Sequence, residues 1–369
     1  MNIMRVGEAT SPLLSILMLV GNKERWKRFV PKRLREMQEL FTVCRFSFEV
    51  VFVINGECNR DLLLQDLEGM PFAVTVLFHG INRISRARNL AAEYARGEFV
   101  LVWDDDDALL TPDALPEFLD QYSTLPVGVL CAELTLGDGR GLHPQNPVLM
   151  PQRRWKNPKL LLTGMQHTPF VARRSILTSF PLSEVRELRG EWLEWSVRLW
   201  RGGIPIGYVS TPSCVFSDQN GKGQSATRRM DAFAYTLVSL LCISYEYRLI
   251  PGTFAAEVLY RRYAEQGFGQ HCRKPLEAWI RFLEAGQRLE DSNNLVTDFG
   301  NAGQSFQFAW EFTRQSRALL DQGRRRIEKE QVYPISPFGF FEENHGDLFH
   351  HCMENARGRL RTFDSCRIS

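Results

Sequence analysis

One stretch of the chain, residues 99–107, joins five apolar residues directly to four aspartates. The apolar part, residues 99–103, has the composition of a strand buried on both faces. Four carboxylates at a strand end repel one another, so they add nothing to folding unless a cation or hydrogen-bond donors gather there. A solvated acidic turn before a helix explains only one of them. The run from Asp104 to Asp107 therefore indicates a divalent cation held against a phosphate.

Strand and helix patterns alternate through the first half of the chain. Predicted strands cover residues 13–20, 48–54, 73–78, 99–103, 127–134, 170–172 and 206–209, and predicted helices cover 23–42, 60–68, 85–95, 112–122 and 191–200. Residues 1–11 are predicted to be a loose lead-in. This alternation predicts an α/β fold, a Rossmann-like, mostly parallel sheet with flanking helices. In such a sheet the residues that follow Val20, Ile54 and Trp103 meet at one crevice, where ligands bind.

Beyond residue 225 the pattern changes to long helices. Helical periodicity covers residues 230–247, 254–266, 275–289 and 304–331. We therefore predict two parts, a catalytic domain over residues 1–225 and a mainly helical C-terminal region over residues 226–369. The second part is expected to contact the acceptor, to cap the site or to form oligomers.

Composition excludes several classes of protein and compartment. The net charge is only +2 over 369 residues, which argues against nucleic acid as the main ligand. The eight cysteines include no Cys-x-x-Cys pair, as expected of a reduced, cytoplasmic protein. Residues 13–20 are apolar but too short to span a bilayer. We expect a cytoplasmic protein. Peripheral association with the inner face of the membrane and assembly into a homo-oligomer are both left open by the sequence.

Two motifs resemble those of a known family. Residues 85–89 read Ser-Arg-Ala-Arg-Asn, and residues 104–107 match an Asp-x-Asp-Asp metal motif. The ends of the first two strands, residues 19–22 and 54–57, match the family more loosely. In this order and spacing, residues 12–220 resemble bacterial family 2 glycosyltransferases of the GT-A fold.

The resemblance implies a nucleotide-sugar donor, with UDP as the first candidate, and metal-assisted transfer of the sugar to a hydroxyl acceptor with inversion. It places donor-binding roles on Val20, Asn22, Asn55, Glu57, Arg88, Asp104 and Asp105. Asp106, with Asp104, is the expected ligand of Mn²⁺ or Mg²⁺, which suit oxygen ligands. Arg88 is expected either to bind the diphosphate or to pair with an aspartate of the motif.

An inverting displacement needs a general base that takes the acceptor's proton. The family's Glu-Asp pair falls on Glu191 and Trp192, so Glu191 is the predicted base and Glu194 the alternative. Trp192 and Trp195 are expected either to stack on a sugar ring or to lie in the core. His167 is either an acceptor contact or a packed residue.

Two other functions remain open at the level of the sequence. The family's base-contacting tyrosine and aspartates are replaced here by Gly21, Ile54 and Asn55. These departures are compatible with a degenerate, non-catalytic member of the family that binds a nucleotide, a glycan or a partner. A nucleotidyltransferase on a similar sheet is the other alternative, although residues 21–25 fall short of the phosphate loop that it would need.

Overall fold

The structure is a computed structural model that describes residues 2–7, 11–80, 83–109, 114–125, 127–136, 141–142, 153–154, 161–162, 169–184, 191–204, 206–216 and 301–330. Its strands are β1 (Asn2–Val6), β2 (Leu14–Val20), β3 (Phe48–Ile54), β4 (Ala73–Phe78), β5 (Phe99–Asp104), β6 (Asp107–Leu109), β7 (Val129–Leu136), β8 (Gly141–Leu142), β9 (Arg153–Arg154), β10 (Leu161–Leu162), β11 (Phe170–Arg173) and β12 (Ile206–Phe216). Its helices are α1 (Lys23–Val43), α2 (Arg60–Leu67), α3 (Ile84–Tyr94), α4 (Ala114–Thr124), α5 (Arg174–Ser179), α6 (Glu191–Arg201) and α7 (Asn301–Glu330).

The described strands form one mixed sheet in the order β1-β4-β3-β2-β5-β11-β7-β12-β10-β9. The four strands β4, β3, β2 and β5 are mutually parallel, and β7 and β12 form a second parallel pair. Between these two groups, β11 runs antiparallel to both of its neighbours. The α/β prediction, with parallel central strands and crossover helices, is therefore confirmed.

The central strands are apolar because both faces of the sheet are covered. All seven residues of β3 are buried, which explains why its sequence shows no alternation of polar and apolar residues. Helix α1 covers one face with side chains spaced three or four residues apart, among them Trp26, Val30 and Met37, all fully buried. The parallel register brings the carboxyl ends of β2, β3 and β5 to the same edge of the sheet.

The prediction of a loose lead-in at residues 1–11 is wrong for its first part. Asn2–Val6 is strand β1, which pairs antiparallel with β4 and caps that edge of the sheet. Met4 is the one buried side chain of this strand. Backbone pairing with an otherwise open edge therefore forms the strand, whose sequence is neither continuously apolar nor strictly alternating.

Strand β12 is longer than predicted and reaches the aspartates. The predicted end was residue 209, but the strand continues past a register shift to Phe216. Its last residues pair antiparallel with β6, so that Phe216 stands opposite Asp107. Within the loop predicted for residues 137–158, β8 and β9 are two-residue strands. The boundary at residue 225 and the helices predicted over 230–289 lie outside the described residues.

Helix α7 confirms the helix predicted for residues 304–331 and packs on α5 and α6. Ser316 donates a hydrogen bond of 2.6 Å to Glu194 on α6, and Arg326 donates one of 2.7 Å to the backbone carbonyl of Thr178 on α5. Gly323 faces Phe180 so closely that a Cβ atom there would overlap the phenyl ring. Part of the C-terminal region thus contributes directly to the packing around α6.

Replacing Gly323 by valine should destabilise the protein by about 1–3 kcal/mol, because the new side chain must displace α7 or Phe180. Valine has the better helix propensity of the two residues, so a loss of stability would report the overlap alone. Urea unfolding followed by circular dichroism measures the change, with Ala318→Val on the exposed side of the same helix as the control. Equal effects of the two substitutions would contradict the packing described here.

Candidate active site

The four aspartates occupy a tight turn between β5 and β6 and differ in exposure. Asp105 and Asp107 are buried, with 2% and 1% of their surface exposed. The side chains of Asp104 and Asp106 keep 30% and 14%. Asp104 and Asp106 are therefore the two members of the run that a ligand in the crevice can reach.

Helix α1 fixes the far end of this turn. The guanidinium of Arg33, a buried residue, donates to the backbone carbonyl of Asp107. The indole Nε1 of Trp103 donates to the same oxygen at 3.1 Å. Arg33 also pairs with Glu36, one turn further along the helix, at 2.8 Å. The buried Asp107 thus anchors the turn to helix α1 through its backbone carbonyl, which is a structural role.

Arg25, in the first turn of α1, pairs with the two middle aspartates. Its Nε donates to Asp105 Oδ2 at 2.9 Å, a second bond joins its Nη2 to Asp105 Oδ1, and Nη2 lies 2.9 Å from Asp106 Oδ2. Burial raises the pKa of Asp105 to about 6 although Arg25 opposes the shift, and burial, with repulsion from Asp104, also raises the pKa of Asp106. Burial by itself would lower the pKa of Arg25, but the two ion pairs outweigh it and raise that pKa.

Sequence reasoning did not assign Arg25 to the site. A signal was present, because Arg25 lies three residues after the helix cap Asn22, in a first turn where the helix dipole disfavours a cation. In the structure, the ion pairs of Arg25 with Asp105 and Asp106 offset this unfavourable position.

A second arginine, Arg88 on α3, joins the aspartate turn to α6. Its Nη2 donates to Asp104 Oδ1 at 3.1 Å, and its Nη1 pairs with Glu191 Oε1. The guanidinium carbon lies 4.5 Å from the ring centroid of Trp192, a cation–π contact. Burial would lower the pKa of Arg88, but Asp104 and Glu191 together raise it. Three predicted site residues, Arg88, Asp104 and Glu191, therefore form one cluster.

Glu194 lies in a different environment from Glu191. It is fully buried, and its carboxylate accepts bonds from Arg198 Nε at 2.7 Å and from Ser316 at 2.6 Å. A further bond of 3.1 Å runs from Arg198 Nη2 to the second carboxylate oxygen. Glu194 thus joins α6 to α7, and its contacts are those of a structural ion pair.

The two tryptophans of α6 lie in the core. Trp192 is 4% exposed and Trp195 is 1% exposed, and their rings meet edge to face at 5.5 Å. Both also contact the ring of Phe170, at 5.0 and 5.6 Å. Of the two roles predicted for them, the structure favours packing over stacking on a sugar ring, and Trp192 supports Arg88.

The strand end after β3 carries a polar cluster around Asn55. This residue is 1% exposed, and its Oδ1 accepts a bond of 3.0 Å from the backbone amide of Arg83. His79 Nδ1 lies 3.2 Å from the same oxygen, a hydrogen bond when that nitrogen carries the proton. Asn55 therefore holds His79 and Arg83, the residue before α3, against the end of β3. His79 was missed as a neighbour of the site, and its position directly after a predicted strand was the available signal.

The remaining predicted donor residues, at the end of β2 and beside it, make mainly structural contacts. Val20 is buried and its carbonyl accepts from the amide of Asn55 at 2.8 Å. Asn22 caps α1 by accepting from the amide of Arg25 at 3.0 Å. Glu57 is exposed, and its carbonyl accepts from the amide of Lys23 at 2.9 Å. These bonds hold the ends of β2 and β3 side by side.

Gly56 permits this close approach. A Cβ atom at this position would lie 2.6 Å from the carbonyl oxygen of Gly21, closer than such atoms come in proteins. Glycine at position 56 therefore lets the two strand ends converge at the crevice.

His167 lies outside the described residues. No described group of three or more His, Cys, Asp or Glu side chains is arranged to hold a metal. Among the described helices, none has both the length and the apolarity needed to cross a membrane.

Comparison with known proteins finds a family match for part of the chain. Residues 17–182 match the model of glycosyl transferase family 2. Among curated proteins, no sequence matches this chain. Similar solved structures include S. aureus TarS 1-349 in complex with UDP-GlcNAc, with 16% identity over 86% of this chain and 91% of that chain and a TM-score of 0.49. Another is GalNAc-T7 with UDP, GalNAc and Mn²⁺, with 12% identity over 66% of this chain and 52% of that chain and a TM-score of 0.45. Residues 17–182 of this chain therefore match the family that the sequence motifs predicted.

Proposed function

We propose that this protein is a metal-dependent, inverting glycosyltransferase that moves a sugar from a nucleoside diphosphate, UDP in the first instance, to a hydroxyl acceptor. The observation that carries the proposal is the bridge formed by Arg88. One guanidinium binds Asp104, on the side of the donor's phosphates, and Glu191, the candidate base. The planar guanidinium of Arg88 thus fixes the distance between a carboxylate of the proposed metal site and the candidate base.

Asp104 and Asp106 suit a divalent cation on the donor side. Both are accessible carboxylates on one turn, and burial, together with repulsion from Asp104, raises the pKa of Asp106. Two carboxylates with substrate phosphates and water are an ordinary shell for Mg²⁺, and Mn²⁺ prefers the same oxygen ligands. When bound, such a cation neutralises the charge that develops on the departing diphosphate.

Glu191 is the proposed general base. Its side chain is at the first residue of α6 and remains partly exposed, at 14%, whereas Glu194 is buried in an ion pair. In the proposed step, Glu191 takes the proton of the acceptor hydroxyl while that oxygen bonds to the anomeric carbon. The bond from the anomeric carbon to the diphosphate oxygen breaks, its electron pair leaves with the diphosphate, and the configuration inverts.

The base-reading residues of the donor site remain predictions. Asn55 stands where the family carries an aspartate, and its amide can donate as well as accept hydrogen bonds. The family resemblance supports UDP, together with contacts from Val20, Asn22 and Glu57. The acceptor groove, including any role of His167, is proposed on resemblance alone.

The test is nucleotide binding and release. We expect the protein to bind UDP in the presence of Mn²⁺ and to release UDP from one member of a panel of UDP-sugars, with GDP- and dTDP-sugars as alternatives. Asp106→Asn should weaken Mn²⁺-dependent UDP binding about tenfold or more in calorimetry, since replacing even outer neighbours of a metal costs 10–100-fold. Asp120→Asn, an exposed aspartate on α4, is the matched control.

Two results would contradict the proposal. Full activity in Asp106→Asn would remove the metal role from this residue. Failure of the wild-type protein to bind any nucleoside diphosphate, with or without Mn²⁺, would favour the degenerate, non-catalytic alternative.

A further inference from the structure

Arg25 makes two kinds of contact with the aspartate turn. With Asp105, which is 2% exposed, it forms a two-bond fork through Nε and Nη2. Its Nη2 also lies 2.9 Å from Oδ2 of Asp106. The side chain of Arg25 is itself 34% exposed, so its outer part borders the crevice.

From this arrangement we propose that Arg25 and the divalent cation are alternative partners of Asp106, and that Arg25, once displaced from Asp106, binds the donor's diphosphate. The inference deepens the proposed function and depends on it. It assigns to Arg25 two successive roles, as a counter-ion of the metal motif before the donor arrives and as a phosphate ligand afterwards.

The first part follows from distance and charge. A divalent cation bound to a carboxylate oxygen lies about 2 Å from it. A cation on Oδ2 of Asp106 would therefore lie within a few ångströms of the guanidinium that contacts the same oxygen, and like charges at that separation repel strongly in a partly buried site. Binding of the cation at this oxygen requires the contact between Arg25 and Asp106 to break.

The second part follows from the anchoring of Arg25. Its bonds to Asp105 keep the guanidinium at the edge of the crevice even after Asp106 is lost, and the planar fork of arginine matches phosphate oxygens as well as carboxylate oxygens. A diphosphate bound to the cation brings negative charge to the place where Arg25 has just lost a partner. The arginine is thus held in position to exchange a carboxylate for a phosphate.

The test is a pair of affinities measured on Arg25→Ala. Mn²⁺ alone, without nucleotide, should bind the variant about three- to tenfold more tightly than the wild-type protein, because no guanidinium has to be displaced. UDP at saturating Mn²⁺ should bind the variant about tenfold more weakly, because a charged hydrogen bond to the diphosphate is lost. Calorimetry measures both constants, and electron paramagnetic resonance of free Mn²⁺ checks the first.

Arg35→Ala is the matched control. It removes the same charge from an exposed position on the same helix, ten residues and about 15 Å further along. We expect both affinities to stay within twofold of the wild-type values, which separates the local effect from the overall change in charge.

Removal of Arg25 leaves the buried Asp105 without this partner, so the variant has to be compared in a second background. Arg25→Ala combined with Asp105→Asn removes the buried charge as well and should show the same gain in Mn²⁺ affinity relative to Asp105→Asn alone. Thermal unfolding confirms that the proteins compared are folded.

The outcomes separate the two proposals. If the wild-type protein binds Mn²⁺–UDP but Arg25→Ala changes neither affinity, or weakens both, the inference is wrong and the proposed function stands. If the wild-type protein binds neither Mn²⁺ nor UDP, the proposed function fails and the inference fails with it.

Discussion

Glu191→Gln should lower the rate of sugar transfer by about 10²–10⁴-fold, the usual contribution of a positioned general base. The affinity for UDP and Mn²⁺ should change little, because glutamine keeps an oxygen that can accept the bond from Arg88 and so preserves the bridge to Asp104. Nucleotide release from the preferred donor, with water or a supplied hydroxyl compound as acceptor, measures the rate. Calorimetry measures the affinity.

Glu194→Gln is the informative comparison for this prediction. Glu194 is the alternative base, but its carboxylate is fully buried and bonded to Arg198 and Ser316. We expect the Glu194 variant to lose stability and to retain transfer per folded molecule. Loss of transfer in folded Glu194→Gln, with activity retained in Glu191→Gln, would reverse the assignment of the base.

The second large effect concerns stability. Arg198→Met should destabilise the protein by about 3–5 kcal/mol, because it leaves the buried carboxylate of Glu194 without its cation. The guanidinium of Arg198 also donates a hydrogen bond of 2.7 Å to the backbone carbonyl of Pro181, and that bond is lost as well. Urea unfolding followed by circular dichroism gives the free energy.

The double variant Glu194→Leu with Arg198→Met distinguishes the ion pair from the packing around it. Replacing both charges by apolar side chains removes the uncompensated charge, so the double variant should be more stable than Arg198→Met alone. A double variant that loses the sum of the effects measured for Glu194→Leu and Arg198→Met separately would show that the pair is not coupled.

The sequence predicted the central strands well because their burial leaves a continuous apolar signature. Strand β3, predicted over residues 48–54, has those bounds in the structure. The sequence also predicted that Arg88, Asp104 and Glu191 belong to one site, because each lies in or beside a motif that resembles one of the family's. Strand β1 left no such signature, because pairing with a sheet edge depends on backbone hydrogen bonds and not on a pattern of side chains.

The contacts that decide the roles of individual acids could not be predicted in the same way. Arg25 and Asp105 are 80 residues apart, and Ser316 and Glu194 are 122 apart. Nothing local in the chain shows that such residues meet, because they meet only through the packing of α1 on the sheet and of α7 on α6. The burial of Trp192, which made stacking on a sugar the weaker interpretation, is equally a property of the assembled core.

The packing of α7 has a consequence for any attempt to isolate the catalytic half of the protein. A fragment that ends at residue 225, where the sequence changes character, contains every described site residue but omits α7. It would expose Phe180, which Gly323 covers, and would present the ion pair of Glu194 and Arg198 to water along one side of α6. Residues 301–330 therefore complete the support of the helix that begins with Glu191, and a fragment without them loses that support.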